Sequence, residues 1–141
     1  MSKASGGCHC GNIKIDLDLS VDVFTYHPRA CDCDFCRMHG AAWLSDAQGS
    51  MRVRIKDSNE RGAYRQGSGQ AEFMLCRTCG VLVCVMHRVG EQLHAAVNTK
   101  VLSGIEFGVE QAASPKKLSA QEKAQRWQDL WFADVRITES G

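Results

Sequence analysis

Strong net charge is the first thing this chain lacks: 17 Lys and Arg stand against 16 Asp and Glu, a formal charge of +1. Such a balance sets up no long-range field to gather phosphate or anionic lipid, so neither nucleic acid nor a membrane surface is expected as a partner. A local basic patch is left open. No export signal is expected either. Met1 to Gly11 is small, polar and cysteine-containing, with no apolar run fit for a signal peptide or a membrane span, and a cytoplasmic location is therefore expected. The sequence holds no internal repeat and no low-complexity tract. Its 141 residues, 44% hydrophobic and 23% charged, fit one compact domain.

Cysteine, by contrast, is plentiful. A reducing compartment disfavours structural disulfides, and a secreted disulfide scaffold is usually shorter and denser in Cys, so eight thiols here point to metal. Seven of them fall into three groups: Cys8-x-Cys10, Cys31-x-Cys33-x-x-Cys36 and Cys76-x-x-Cys79. Cys84 stands alone between Val83 and Val85 and reads as a buried small hydrophobe. Spacings of one or two residues let neighbouring thiolates converge on one ion, and zinc takes four sulfurs in a tetrahedron. Cys76-Arg77-Thr78-Cys79-Gly80 has the form of a zinc knuckle, with Gly80 allowing the tight turn after the second ligand.

Seven divides into four plus three. Four sulfurs close a structural site, whereas three leave a coordination position open, the usual mark of a reactive zinc. The triplet Cys31, Cys33 and Cys36 is thus the candidate reactive centre, and spacing alone leaves open which two pairs share the closed site. The triplet has other readings: a second structural zinc completed by His39 in Cys36-x-x-His39, a redox-active thiol cluster, or iron in place of zinc. His9 is expected to point away from any ion held by its neighbours, and His27, His87 and His94 to be hydrogen-bonded or exposed. Trp43, Trp127 and Trp131 read as core or helix-packing residues, and Lys116-Lys117 as solvated surface.

The rest of the chain is strand-like. Ile13, Ile15, Leu17 and Leu19 alternate with charged residues, as do Met51, Val53 and Ile55, and the strand period returns at Ala71, Phe73 and Leu75. Val21 to Tyr26 is expected to prolong the first of these strands. Val81 to His87 and Leu93 to Val97 read as strands buried on both faces, and Gly-, Asn- and Ser-rich turns separate the runs. Only near the end does the period change. Ser119 with Glu122 is a capping-box signature, and Leu118, Trp127, Leu130 and Trp131 can share a helical face, predicting one long helix over 119–132 behind a surface connection at 111–117.

Three strings together, Gly7-Cys8-His9-Cys10-Gly11, Cys31-Asp32-Cys33-Asp34-Phe35-Cys36-Arg37 and Cys76-Arg77-Thr78-Cys79-Gly80, resemble the glutathione-dependent formaldehyde-activating enzyme family, a group that also takes in centromere protein V. The likeness runs from about Gly6 to Gly104. It implies a mainly β fold of folded antiparallel sheets, also seen in a Rab-binding zinc protein, with one C-terminal helix. Residues 1–110 would form the zinc-binding β domain, and 111–141 an extension whose helix packs on it. The resemblance further implies two zinc ions per chain, a structural one on Cys8, Cys10, Cys76 and Cys79 and a second on Cys31, Cys33 and Cys36. The implied activity is carbon-sulfur lyase chemistry on glutathione and formaldehyde, by way of S-hydroxymethylglutathione. Arg37 and Lys100 would meet the substrate carboxylates, Lys100 standing where the family often has Arg. Arg77 replaces a common Pro, and Ser103 an often acidic turn residue. The alternative is a zinc-stabilised module that binds a protein partner without turnover. Oligomeric state is not legible in the sequence.

Overall fold

A strand that buries every second side chain needs partners on its flanks and a second layer against its apolar face. The computed structural model supplies both. It describes residues 1–102 and 104–139, so the Ser103 position falls outside it. Along the chain come β1 (Ser2–Gly7), β2 (Ile13–Leu19), β3 (Arg29–Cys31), α1 (Asp34–His39), β4 (Trp43–Leu44), β5 (Ser50–Ile55) and β6 (Arg61–Tyr64). There follow β7 (Glu72–Cys76), β8 (Leu82–Val89), β9 (Gln92–Asn98), β10 (Gln111–Ala113), α2 (Ala120–Leu130) and β11 (Asp134–Glu139). The fold is mainly β.

The strands form two sheets, one in the order β1-β2-β5-β11 and one in the order β10-β3-β4-β9-β8-β7-β6. In β2 the pattern is strict: Ile13, Ile15, Leu17 and Leu19 are buried while Lys14, Asp16 and Asp18 face water. Register carries the same face into β5, where Ile15 lies opposite Val53 and Leu17 opposite Met51. This face packs on Met74, Val83, Cys84, Met86, Ala95 and Val97 of the larger sheet. β8 and β9 are buried through most of their length, as their continuous apolar runs imply.

β1 carries no such alternation, and close approach explains it. A Cβ on Gly6 would collide with the carbonyl oxygen of Val101, so a strand of small residues lets the Val101–Leu102 segment cross beneath it. The chain does not extend β2 through Val21 to Tyr26. Val23–Thr25 is instead a single 3-10 turn, and Phe24 is 68% exposed. The departure begins at Ser20, whose N–H donates to the Asp46 carboxylate at 2.8 Å instead of to a neighbouring strand. Cys84 is fully buried beside Met74, as a small hydrophobe should be.

At the C-terminal end, α2 spans Ala120–Leu130 and starts on a complete capping box. The Glu122 N–H donates to Ser119 Oγ at 3.1 Å, and the Ser119 N–H donates to Glu122 Oε1 at 2.9 Å. Trp127 and Trp131 turn inward, but Leu130 is 40% exposed and does not share their face. Phe132 and Ala95 exchange two backbone hydrogen bonds, at 2.9 and 3.1 Å, which pin the end of α2 to β9. The stretch read as a surface connection contains a strand, since β10 pairs in parallel with β3. β11 pairs in parallel with β5, so residues after 110 contribute to both sheets.

Candidate metal centres and an adjoining cavity

The turn between β1 and β2 presents Cys8 and Cys10, and the turn between β7 and β8 presents Cys76 and Cys79. Folding brings the four sulfurs within 4.8 Å of one another. Cys8 and Cys10 Sγ are 3.7 Å apart, and Cys10 and Cys76 Sγ 3.5 Å. A tetrahedron with metal–sulfur bonds of about 2.3 Å has edges of about 3.8 Å, so these thiols fit a zinc ion with little adjustment. Gly80 sits at φ +78°, and its N–H returns to the Cys76 carbonyl at 2.7 Å, closing the knuckle as its sequence predicts. His9 is exposed and takes no place in the cluster. All eight cysteines are free thiols.

Within this group the protons are unevenly shared. Burial opposes ionisation of Cys79, but N–H groups of Cys10 and Val81 and the neighbouring thiols bring it down to about 6. Burial, with the Cys10 and Cys79 thiols, pushes Cys76 up to about 12 against the N–H groups of Cys79 and Thr78. One thiolate is therefore held ready near neutral pH, which lowers the proton cost of taking up a cation.

The second group lies at the end of β3 and on α1. Cys33 caps the helix, its Sγ accepting the Cys36 N–H at 3.4 Å, and Cys31, Cys33 and Cys36 place their sulfurs within 4.8 Å of one another. A hydrogen bond from the Cys36 thiol is the main cause that lowers Cys31 to about 6, and Cys36 in turn is held protonated. Three soft donors with a vacant side suit zinc. His39 does not join them: it is exposed, and its ring packs 4.7 Å from Phe35.

The triplet forms part of the wall of a cavity of about 320 Å³. Trp43, Ala71, Phe73, Val85, Trp127 and Trp131 give it an apolar lining. Trp127 stacks on Trp131 at 5.1 Å and meets His87 edge-on at 5.0 Å, which fixes the angle at which α2 covers the site. Four cations also line the cavity: Arg29 from β3, Lys116 from the turn before α2, and Lys123 and Arg126 from α2 itself. Burial, reinforced by the charge of Arg126, lowers Arg29 to about 10, which leaves it charged at neutral pH. The basic patch absent from the overall balance is thus present locally. Lys116, read as solvated surface, lines the cavity and stands 3.9 Å from Asp32.

Arg37 and Lys100, the cations expected at the substrate, are not in this lining. Arg37 is 70% exposed and reaches back to Asp34 at 3.1 Å, an i,i+3 pair on the outer face of α1. Lys100 pairs with Glu110 at 2.7 Å. His27 and His87 each bond a backbone carbonyl, but His94 is 5% exposed and its Nδ1 has no hydrogen-bond partner among the described residues.

A family model described as glutathione-dependent formaldehyde-activating enzyme matches residues 3–122. The chain belongs to this family. A solved structure similar to it, of a protein from Rhodobacter sphaeroides, is 31% identical, with a TM-score of 0.53 over 72% of this chain and 90% of that one. Membership in the formaldehyde-activating family accounts for the order of the three cysteine strings. The cationic lining is a feature that sequence reading did not find. Arg29 and Arg126 are 97 positions apart, and the pairing of β10 with β3 together with the docking of α2 brings them to one cavity.

Proposed function

We propose that this chain is a zinc-dependent carbon-sulfur lyase-type protein that makes or breaks the adduct between a thiol, glutathione or a relative, and a small aldehyde. The observation that carries the reading is the position of the triplet, three gathered sulfurs opening on a cavity with cationic and apolar walls. Cys8, Cys10, Cys76 and Cys79 would hold a structural zinc, and Cys31, Cys33 and Cys36 a second one with a free position. Zinc bound there would keep a substrate thiol deprotonated near neutral pH. Three anionic ligands make the centre a weak Lewis acid, which favours thiol exchange over activation of water. The chain's own residues hold the two reactants side by side, and the tryptophans keep bulk water from the reacting end. In the net step the sulfur–carbon bond forms and the thiol proton passes to the aldehyde oxygen; reversal releases both partners.

Metal analysis and cobalt substitution test the proposal. About two zinc ions per chain are expected, with a cobalt absorption spectrum that glutathione shifts. Cys31→Ser should lose one metal and the adduct-forming activity while keeping its fold. Cys76→Ser should unfold, because structural zinc binding is worth on the order of 10 kcal/mol. A single metal per chain, or a cobalt spectrum indifferent to thiols, sinks the reading.

A further inference from the structure

Apart from the triplet's own sulfurs, the cations around the cavity find few counterions. Among the described residues Arg29 hydrogen-bonds Ser45 Oγ at 2.7 Å and makes no ion pair, and neither Lys123 nor Arg126 has a carboxylate partner. Lys116 shares Asp32 only at the outer limit, 3.9 Å. Like charges converging on a small, partly dry space repel each other unless an anion joins them. Among the described residues no Asp or Glu lines the cavity, and Asp32 beside the triplet already accepts from the Ser114 hydroxyl. The site is built for negative charge.

Its other wall is apolar, and the sulfurs belong to that wall. Cys36 is buried in one cluster with Trp43, Phe73, Val85 and Trp131, and Cys31 and Cys33 pack against the same cluster. The cations come from two segments, Lys123 and Arg126 on α2 with Lys116 just before it, and Arg29 on β3 two residues ahead of Cys31. A ligand whose sulfur addresses the triplet therefore sets its aldehyde-derived carbon beside aromatic rings. Formaldehyde would leave that wall uncovered, whereas a larger apolar aldehyde buries it.

We infer that the cavity selects an anionic thiol adduct whose aldehyde-derived half is apolar, with Arg29, Lys123 and Arg126 taking carboxylate and Trp43, Phe73 and Trp131 taking the apolar half. The inference rests on the thiol–aldehyde reading of the triplet and adds the class of substrate. The expected chemistry is addition of a thiol acid to the carbonyl of an aromatic or branched aldehyde: the sulfur–carbon bond forms, the carbonyl π bond breaks, and the thiol proton goes to its oxygen.

All three tryptophans of the chain line this cavity, so intrinsic fluorescence of the zinc-loaded protein reports occupancy directly. Three thioethers that cannot turn over serve as probes: (benzylsulfanyl)acetate with both features, (methylsulfanyl)acetate with the carboxylate alone, and benzyl methyl sulfide with the ring alone. The first should bind about tenfold or more tighter than either of the others. Lys123→Gln with Arg126→Gln should weaken it about tenfold without changing zinc content or melting temperature. Raising salt from about 50 to about 500 mM should weaken it in the unaltered protein. Equal affinities for the benzyl and methyl acids overturn the apolar half of the inference. Binding indifferent both to the double substitution and to salt overturns the anionic half. Adduct formation between glutathione and formaldehyde, followed by proton NMR on the same preparation, separates the two readings. Turnover without the probe preference leaves the lyase reading standing and removes this inference, whereas the preference without turnover of any aldehyde overturns the lyase reading and, with it, the substrate class inferred here.

Discussion

Asp46 shows how one side chain ends a strand. Its carboxylate accepts from the Ser20 N–H at 2.8 Å, the Ser20 hydroxyl at 2.7 Å, the Tyr26 hydroxyl at 2.6 Å and, through its other oxygen, the Gln48 N–H at 3.0 Å. These bonds draw the chain out of the sheet after Leu19 and fold the 3-10 turn that the apolar Val21 and Phe24 disguise in the sequence. Burial works to raise the Asp46 pKa, but the Tyr26, Ser20 and Gln48 donors overcome it and hold the carboxyl below its ordinary value. A depressed carboxylate stabilises the fold above its unfolded pKa, and that contribution is lost as pH falls toward the folded value. His94 has the same sign for another reason. Burial, and then the charge of His87, lower its pKa, so protonation of the imidazole opposes the fold as pH drops below the ordinary histidine range. Acid unfolding should therefore begin with a His94 stage and deepen with an Asp46 stage. His94→Leu should remove the first without touching the second, and Asp46→Ala should cost roughly 2 kcal/mol at neutral pH and remove the second. Denaturant titrations at a series of pH values measure both, and a stability that stays level from neutral to acid pH would contradict the assignment.

At the scale of elements, α2 has no fully buried residue and is held by its capped first turn together with the half-buried Trp127. Removing the cap with Ser119→Ala should cost about 1 kcal/mol. Because Lys123, Arg126 and Trp127 ride on the same helix, the loss should also appear as weaker ligand binding and a changed tryptophan spectrum while the β-sheet signal in circular dichroism persists. Unchanged binding would mean that α2 is held by its Ala95–Phe132 anchor alone. The elements legible in the sequence were those whose own side chains state their surroundings. The alternation of β2 and β5 names a half-buried sheet, the apolar runs of β8 and β9 name buried strands, and Ser119 with Glu122 names a helix start. The others take their structure from partners. β1 is a strand because Gly6 lies under Val101, β3 and β10 are three residues each and specify each other, and α1 is six residues long with a cysteine as its cap. β11 does alternate, through Val135 and Ile137, but two apolar residues are too short a signal to distinguish a strand from a loop. The cysteine groups were legible for the opposite reason: each packs its chemistry into three to six consecutive residues. The cations of the cavity carry no local mark, because each of them reads as ordinary surface until β3 and α2 are set side by side.

For the whole molecule, the four-sulfur group lies where a bound ion would clamp the two sheets together. Cys8 and Cys10 leave the β1-β2 hairpin of the smaller sheet, and Cys76 and Cys79 leave the β7-β8 hairpin of the larger. An ion held by all four closes a loop of more than sixty residues, from Cys10 to Cys76, and so removes much of the unfolded chain's freedom as well as linking the two layers. The triplet has a different place. Its three sulfurs come from one short segment, Cys31 to Cys36, and an ion there constrains almost no chain beyond the helix it already caps. On the proposed two-zinc reading, the ions should therefore leave in separate steps with separate consequences. Titration with a chelator, with released zinc read by a dye and the fold by circular dichroism, should show one ion lost while the sheets persist and thioether binding falls. The second should be lost only together with cooperative unfolding. Chelator removal of both ions from a chain that keeps its sheets would show that apolar packing between Met51, Val53 and Val97 suffices without the clamp. Release of both in a single unfolding step would place the triplet among the structural elements and deny it an exchangeable position.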